Sequence, residues 1–231
     1  MDAALEPLGR GRAFLRENRG AMRGLFVPGW GATAALYAAG LPESWQALEL
    51  PSFRAARGAL PAYRRWLQAE IARERAPLAI AGHSMGAALA LLAVAERPER
   101  VEKLILVSPA GLPLDKPMLA SLSTFVGQAA SRCYPARELC RMLASTASAP
   151  RAALRLARSV HDLDLSAELE QVRASGIPCT VIGCVSDTLT TCGHCSRLAA
   201  LLGAEYRELD APYGHIWMIT GPERLAAELS A

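Results

Sequence analysis

A serine stands in the pattern G-x-S-x-G at residues 82–86, which read G-H-S-M-G. The apolar run at 78–81 before this pattern is typical of a strand, and the Ala- and Leu-rich segment after it is typical of a helix. A sharp turn between a strand and a helix exposes a serine hydroxyl, and the two glycines avoid backbone collisions there. The pattern therefore predicts that Ser84 is a nucleophile.

A serine nucleophile needs a base, and the chain contains four histidines. His83 lies inside the turn and cannot fold back onto its neighbour, whereas His161 and His194 lie in helical stretches. His215 follows the last predicted strand and precedes the C-terminal helix, where α/β sheets present catalytic loops. We predict that His215 is the general base, third in the order serine, acid, histidine.

An acid must orient this histidine, and two aspartates are candidates. Asp187 directly follows a strand predicted at 178–184, and Asp210 lies five residues before His215. Asp187 would fix the imidazole tautomer and stabilise the imidazolium. The alternative role for Asp187 is to cap the next helix, for which Thr190 is equally suitable. Because Asp210 is expected only to end the preceding strand, we predict that Asp187 is the acid.

Two backbone N–H groups would bind the oxyanion of a tetrahedral intermediate. Met85 begins the helix after the turn, so its N–H is one candidate. The second is expected from the loop at 28–31, P-G-W-G, where Trp30 lies between two glycines. Trp30, Gly29 and His83 are also expected to contact the substrate, although the indole of Trp30 could instead anchor its loop on the core.

The elements that must position these residues follow an alternating pattern. Short apolar runs alternate with longer helical segments, which predicts an α/β fold with a mostly parallel central sheet flanked by helices. Helical spacing at 59–73 indicates a surface helix, and the segment 86–96 is apolar enough to be a buried one. Six strands are predicted, at 25–27, 47–50, 78–81, 103–108, 178–184 and 205–209.

One region interrupts the alternation. Between residues 111 and 176 the sequence shows only amphipathic helical stretches separated by prolines. We therefore expect a helical cap at 113–174 resting on a core formed by 1–112 and 175–231.

The predicted cap has a marked charge asymmetry. The segment from Lys116 to Arg158 contains seven cationic residues and one acidic residue, which gives it a charge of +6, and acidic residues follow it. A solvated helix face explains this pattern, and a docking surface for an anionic substrate or acyl carrier is the alternative. The residues concerned are Lys116, Arg132, Arg137, Arg141, Arg151, Arg155 and Arg158, with Glu138 as the acid.

Composition excludes several classes of protein. The chain has 231 residues, 52% of them apolar, and a net charge of +3, which predicts a compact domain and gives no reason to expect a nucleic-acid partner. The longest apolar stretch, 87–95, is far shorter than the ~20 residues that span a bilayer. Because the first 20 residues show no apolar leader, we expect a cytoplasmic protein with reduced cysteines.

A zinc site is the remaining alternative that the sequence raises. Cys184, Cys192, His194 and Cys195 carry ligand atoms for zinc, but only Cys192 and Cys195 form a close pair. A closed structural site usually needs two such pairs. We therefore expect neither a metal nor an organic cofactor.

Taken in chain order, the loop at 28–31, the turn at 82–86, Asp187 and His215 resemble the α/β-hydrolase superfamily. The arrangement is most similar to small bacterial carboxylesterases that cleave pimeloyl-carrier-protein methyl ester, in which a Gly-Trp-Gly loop supplies an oxyanion N–H. Pro28 stands where many relatives carry His. The first predicted strand begins at residue 25, so the leading antiparallel strands of the superfamily are expected to be missing or remodelled.

This resemblance, together with the nucleophile, base and acid, predicts a serine hydrolase without cofactors. It would cleave a small-molecule carboxylic ester or thioester through an acyl-enzyme on Ser84. Two alternatives stay open because one scaffold hosts many reactions: a C–C bond hydrolase of the same fold, and a nearly inactive ligand receptor.

Overall fold

A computed structural model describes residues 23–74, 77–128, 134–212 and 214–231. The expectation about leading strands before residue 25 falls largely on residues 1–22, and the predicted cation Arg132 also lies outside the described residues. Within the described part, no helix is both long and apolar enough to cross a membrane.

Six parallel strands form one sheet in the order β2-β1-β3-β4-β5-β6. The strands are β1 (Gly24–Val27), β2 (Trp45–Ala47), β3 (Leu78–His83), β4 (Val101–Val107), β5 (Cys179–Cys184) and β6 (Glu205–Leu209). The predicted α/β class is confirmed. The placement of the second strand at 47–50 was wrong: the short strand β1 pairs through Gly24–Phe26 with Trp45–Ala47, so the residues after Leu48 lie beyond the end of the ladder.

Helices cover the sheet on both faces. They are α1 (Leu60–Arg73), α2 (Met85–Glu96), α3 (Met118–Gln128), α4 (Ala136–Ser148), α5 (Pro150–His161), α6 (Ser166–Ser175), α7 (Cys192–Leu202), α8 (Trp217–Thr220) and α9 (Pro222–Ser230). The predictions at 59–73 and 86–96 agree with α1 and α2 to within one residue at each end.

Side chains of each strand alternate between two apolar clusters, one on each face of the sheet. In β1, for example, Leu25 and Val27 join the cluster around α2, while Phe26 joins the cluster around Trp217. This alternation follows from the two-residue period of a strand. Because the six strands are parallel, their carboxyl ends lie at one edge of the sheet, and the candidate site lies at that edge.

The four helices between β4 and β5 differ in what they contact. α6 packs against α2 and α7, and its buried Leu169 and Val172 belong to the same cluster as Val181 of β5. Residues of α3 and α5 line a pocket that contains Ser84, and Ala153 and Leu156 of α5 also belong to the cluster that α6 joins.

Candidate active site

Ser84 lies in the turn between β3 and α2 with φ 54° and ψ −117°. A positive φ is strained for a residue with a side chain, so the surrounding structure must hold it. Gly82 and Gly86 make this possible, because a Cβ on Gly86 would overlap the carbonyl oxygen of Val27 and one on Gly82 would overlap that of Gly86. The turn thus brings Gly86 close to the backbone of β1. It also places Ser84, which is partly exposed, in the wall of the pocket.

Asp187 and His215 form a buried pair. The Asp187 Oδ2 and His215 Nδ1 atoms lie 2.9 Å apart, and the two residues are 3% and 1% exposed. The other oxygen of Asp187 accepts the N–H groups of Leu189 and Thr190, and the Thr190 hydroxyl donates to Oδ2 at 2.9 Å. Burial raises the pKa of Asp187, but His215 and these hydrogen bonds outweigh burial and hold the pKa below its ordinary value.

This pairing fixes the tautomer of His215. Because a carboxylate can only accept, Nδ1 carries the proton and Nε2 is left as an unprotonated acceptor in the neutral ring. Nε2 is buried and has no hydrogen-bond partner among the described residues. Such an atom is ready to take a proton from a hydroxyl placed beside it.

His83 connects His215 to the loop after β1. Its Nε2–H donates to the backbone carbonyl of His215 at 2.9 Å, and its Nδ1 accepts the hydroxyl of Tyr37 at 2.8 Å. The Tyr37 oxygen in turn accepts the N–H of Gly29 at 3.2 Å. Burial, with the nearby His215, lowers the pKa of His83 to about 3, so the ring stays neutral.

These bonds limit what His83 and Gly29 offer to a substrate. His83 lines the pocket, but the protein uses both of its ring nitrogens. Gly29 also lines the pocket, while its N–H is bonded to Tyr37. Sequence reasoning did not identify Tyr37, because its pairing with a residue 46 positions away follows no periodic pattern.

Neither of the two predicted oxyanion donors has a hydrogen-bond acceptor among the described residues. As the first residue of α2, Met85 has no carbonyl of its own helix to which its N–H can donate. In the described part of the chain, the N–H of Trp30 donates to no acceptor, and φ is +69° at the following Gly31. Trp30 and Ser84 line the same pocket.

The indole of Trp30 anchors its loop and also lines the pocket. Its Nε1–H donates to the Ala153 carbonyl of α5 at 3.1 Å. Its ring lies between Phe53 and Phe125, with centroids 5.1 and 5.7 Å away. The side chain therefore anchors the loop and forms part of the pocket wall, and its contact with a substrate stays a prediction.

The pocket beside Ser84 is mainly apolar. α3 contributes Met118, Leu122 and Phe125, and α5 contributes Val160. Among the described residues that line the pocket there is no Asp, Glu, Lys or Arg. The interior therefore suits an uncharged group.

The remaining candidates lie elsewhere. The side chain of Asp210 is exposed just after β6. Thr191 caps α7 by accepting the N–H of His194, so neither Asp187 nor Thr190, the two caps considered as an alternative from the sequence, has this role: the helix begins after the turn that these residues close. The described residues contain no group of three or more His, Cys, Asp or Glu side chains able to hold a metal.

Residues 62–195 match the sequence profile of Hydrolase_4, described as serine aminopeptidase, S33. The chain belongs to this family of α/β hydrolases. The matched range contains Ser84 and Asp187, while Trp30 and His215 lie outside it. A search of curated proteins found no significant match.

Solved α/β-hydrolase structures share the fold at low sequence identity. A lipase-esterase related protein from Clostridium acetobutylicum is 16% identical with a TM-score of 0.70, over 90% of this chain and 93% of the other. A thioesterase domain from the curacin biosynthetic pathway is 18% identical with a TM-score of 0.61, over 92% of each. An N-formylmaleamic acid deformylase from Pseudomonas putida is 16% identical with a TM-score of 0.67, also over 92% of each.

Proposed function

We propose that this hydrolase cleaves a carboxylic ester or thioester through an acyl-enzyme on Ser84. The observation that carries the proposal is the buried Asp187–His215 pair. The Nε2 atom of His215 has no partner among the described residues, and His215 packs against the turn that holds Ser84. The rings of His215 and His83 lie 4.8 Å apart between centroids, and His83 directly precedes Ser84.

In the acylation step, His215 Nε2 takes the proton of the Ser84 hydroxyl as Oγ attacks the substrate carbonyl carbon. The N–H groups of Trp30 and Met85 bind the oxyanion. The imidazolium, stabilised by Asp187, then gives its proton to the departing alcohol or thiol. Water attacks the acyl-enzyme, His215 takes the proton of that water, and the same proton returns to Ser84 as the acid leaves.

The pocket favours an ester over the amino terminus of a peptide. A free α-ammonium group needs a carboxylate nearby, because leaving it buried and unpaired is costly. No carboxylate lines the described pocket. The names of two structural relatives, a lipase-esterase related protein and a thioesterase domain, agree with this choice.

The test is covalent labelling with a fluorophosphonate, followed by turnover of matched ester, thioester, amide and C–C substrates. We expect one label per chain on Ser84, multiple turnover of esters or thioesters, and a loss on the order of 10³-fold or more in kcat for Ser84→Ala.

Three outcomes would contradict the proposal. Purified Ser84→Ala that retains more than a tenth of the activity would exclude Ser84 as nucleophile. A stoichiometric burst without turnover would support a receptor, and turnover confined to C–C substrates would support the other alternative.

A further inference from the structure

Two serines on α3 have different surroundings. Ser123 is exposed, and its hydroxyl donates to the Ala120 carbonyl of the preceding turn at 3.2 Å. Ser121 is only 7% exposed and lines the pocket, and its Oγ has no hydrogen-bond partner among the described residues. A buried hydroxyl without a partner has lost its hydration without compensation, which native proteins rarely tolerate without a reason.

Ser121 lies on the face of α3 that borders the pocket. Met118 and Phe125, three residues before it and four after it, line the same pocket, as does Leu122. Residues at this spacing share one side of a helix. The hydroxyl of Ser121 therefore interrupts an otherwise apolar wall.

His161 borders the pocket from α5 but has no free polar atom. Its Nδ1 lies 2.6 Å from Asp162 Oδ1, and its Nε2 lies 2.7 Å from the carbonyl oxygen of Lys116. Each ring nitrogen thus lies within hydrogen-bond distance of an acceptor of the protein, and a neutral ring can donate to only one of them.

Other polar groups at the pocket also have partners. The Thr190 hydroxyl donates to Asp187, and the Trp30 indole donates to a backbone carbonyl. Among the described side chains of the pocket wall, Ser84 and Ser121 thus present hydroxyls that have no protein partner. The first is the proposed nucleophile, and the second has no role in the proposed mechanism.

We propose that Ser121 determines specificity by binding a hydroxyl or keto oxygen on the apolar part of the substrate while Ser84 attacks its ester carbonyl. This inference rests on the proposed function. The substrate class is then an uncharged ester or thioester whose apolar portion carries one hydrogen-bonding oxygen, since no Asp, Glu, Lys or Arg lines the described pocket. The Ser121 hydroxyl can donate to either oxygen and can also accept from a hydroxyl.

The test compares methyl hexanoate with its 3-hydroxy, 3-oxo and 6-hydroxy analogues by proton release. We expect at least one analogue to exceed methyl hexanoate by about tenfold in kcat/KM, the discrimination typical of one neutral hydrogen bond. In Ser121→Ala that preference should disappear, so that the favoured analogue and methyl hexanoate have kcat/KM values within about twofold of each other.

Ser123→Ala is the matched control, because it removes a hydroxyl from the exposed side of the same helix and should keep the preference. Binding of the same four esters to Ser84→Ala, measured by calorimetry with and without Ser121→Ala, reads out recognition independently of turnover. Esters hydrolysed or bound with no preference for any analogue, or a preference that survives Ser121→Ala, would overturn the role of Ser121. Preferential binding to Ser84→Ala without turnover by the wild type would instead overturn the proposed reaction alone.

Discussion

His215 is held in place by two chains of hydrogen bonds. One reaches its ring through Asp187, and the other reaches its backbone carbonyl through Tyr37 and His83. The second chain begins at Gly29, beside a proposed oxyanion donor. The proposed base and the loop that carries the proposed oxyanion donor are therefore positioned by the same buried network.

The choice between the two candidate acids can be tested with Asp187→Asn and Asp210→Asn. The amide at 187 can donate to Nδ1 and so favours the wrong tautomer, which should lower kcat on the order of 10⁴-fold. Asp210→Asn changes an exposed side chain and should stay within about twofold. Steady-state kinetics at equal thermal stability decides, and a larger loss for Asp210→Asn would reverse the assignment.

His83 should make the protein sensitive to acid. Its pKa falls from an ordinary 6.5 to about 3 on folding, so the unfolded chain binds a proton that the folded chain lacks between these values. The free energy of unfolding should therefore fall as the pH drops through this window, by on the order of 2 kcal/mol from this residue between pH 7 and 5.

Urea unfolding of the wild type and His83→Asn at pH 7 and 5 measures this effect. The variant loses hydrogen bonds of the His83 ring and should be less stable at pH 7. Its free energy of unfolding should nevertheless change less between pH 7 and 5 than that of the wild type. An unchanged pH dependence would show that His83 is not the responsible group.

At the scale of elements, the loop after β1 is hydrogen-bonded to helices α4 and α5. Trp30 donates to Ala153 of α5, and the Thr33 hydroxyl donates to the buried carboxylate of Glu138 in α4 at 2.6 Å. α6 instead packs with α2 and α7. We therefore propose that the cap consists of α3 to α5, while the wider range 113–174 stays a prediction.

The bond between Trp30 and α5 should matter for catalysis. Trp30→Phe retains an aromatic ring but removes the donor to Ala153, so the loop N–H should be held less firmly. We expect kcat/KM to fall by about tenfold, mainly through kcat. Trp66→Phe, a half-buried residue on α1, is the control and should have little effect. An equal loss in both variants would point to general destabilisation.

The sequence carried most of the fold because strand and helix periods are local signals. Asp187 was predictable for the same reason, since it follows a strongly apolar strand. The pairing of Tyr37 with His83 was not, because it depends on how separate elements pack. The unpartnered hydroxyl of Ser121 was not predictable either. A single serine in an amphipathic helix does not indicate which pocket its side chain lines.

At the scale of the molecule, the positive charge lies outside the pocket. Arg151, Arg155 and Arg158 of α5 are exposed. Arg158 lies 3.8 Å from Asp162, and Arg155 donates to a backbone carbonyl, so part of this charge is already engaged. A docking surface for an anionic acyl carrier stays a prediction for this helix face.

Salt dependence tests this surface. If a carrier docks there, kcat/KM for a carrier-linked ester should fall steeply with salt, while that for a small neutral ester should not. Changing Arg151, Arg155 and Arg158 together to Ala should remove the difference. Equal salt dependence for both substrates, unchanged in the triple variant, would leave these arginines as a solvated face.

The order of the site residues along the chain has a consequence for synthesis. His83 and His215 are 132 residues apart, and the base follows the last strand of the sheet. At ~5–20 residues per second, a ribosome would take roughly 7–26 s to go from the serine turn to the base. For that time a nascent chain would carry Ser84 without the proposed base, and reactivity towards a fluorophosphonate should begin only once His215 has been made and the final strand has paired with β5.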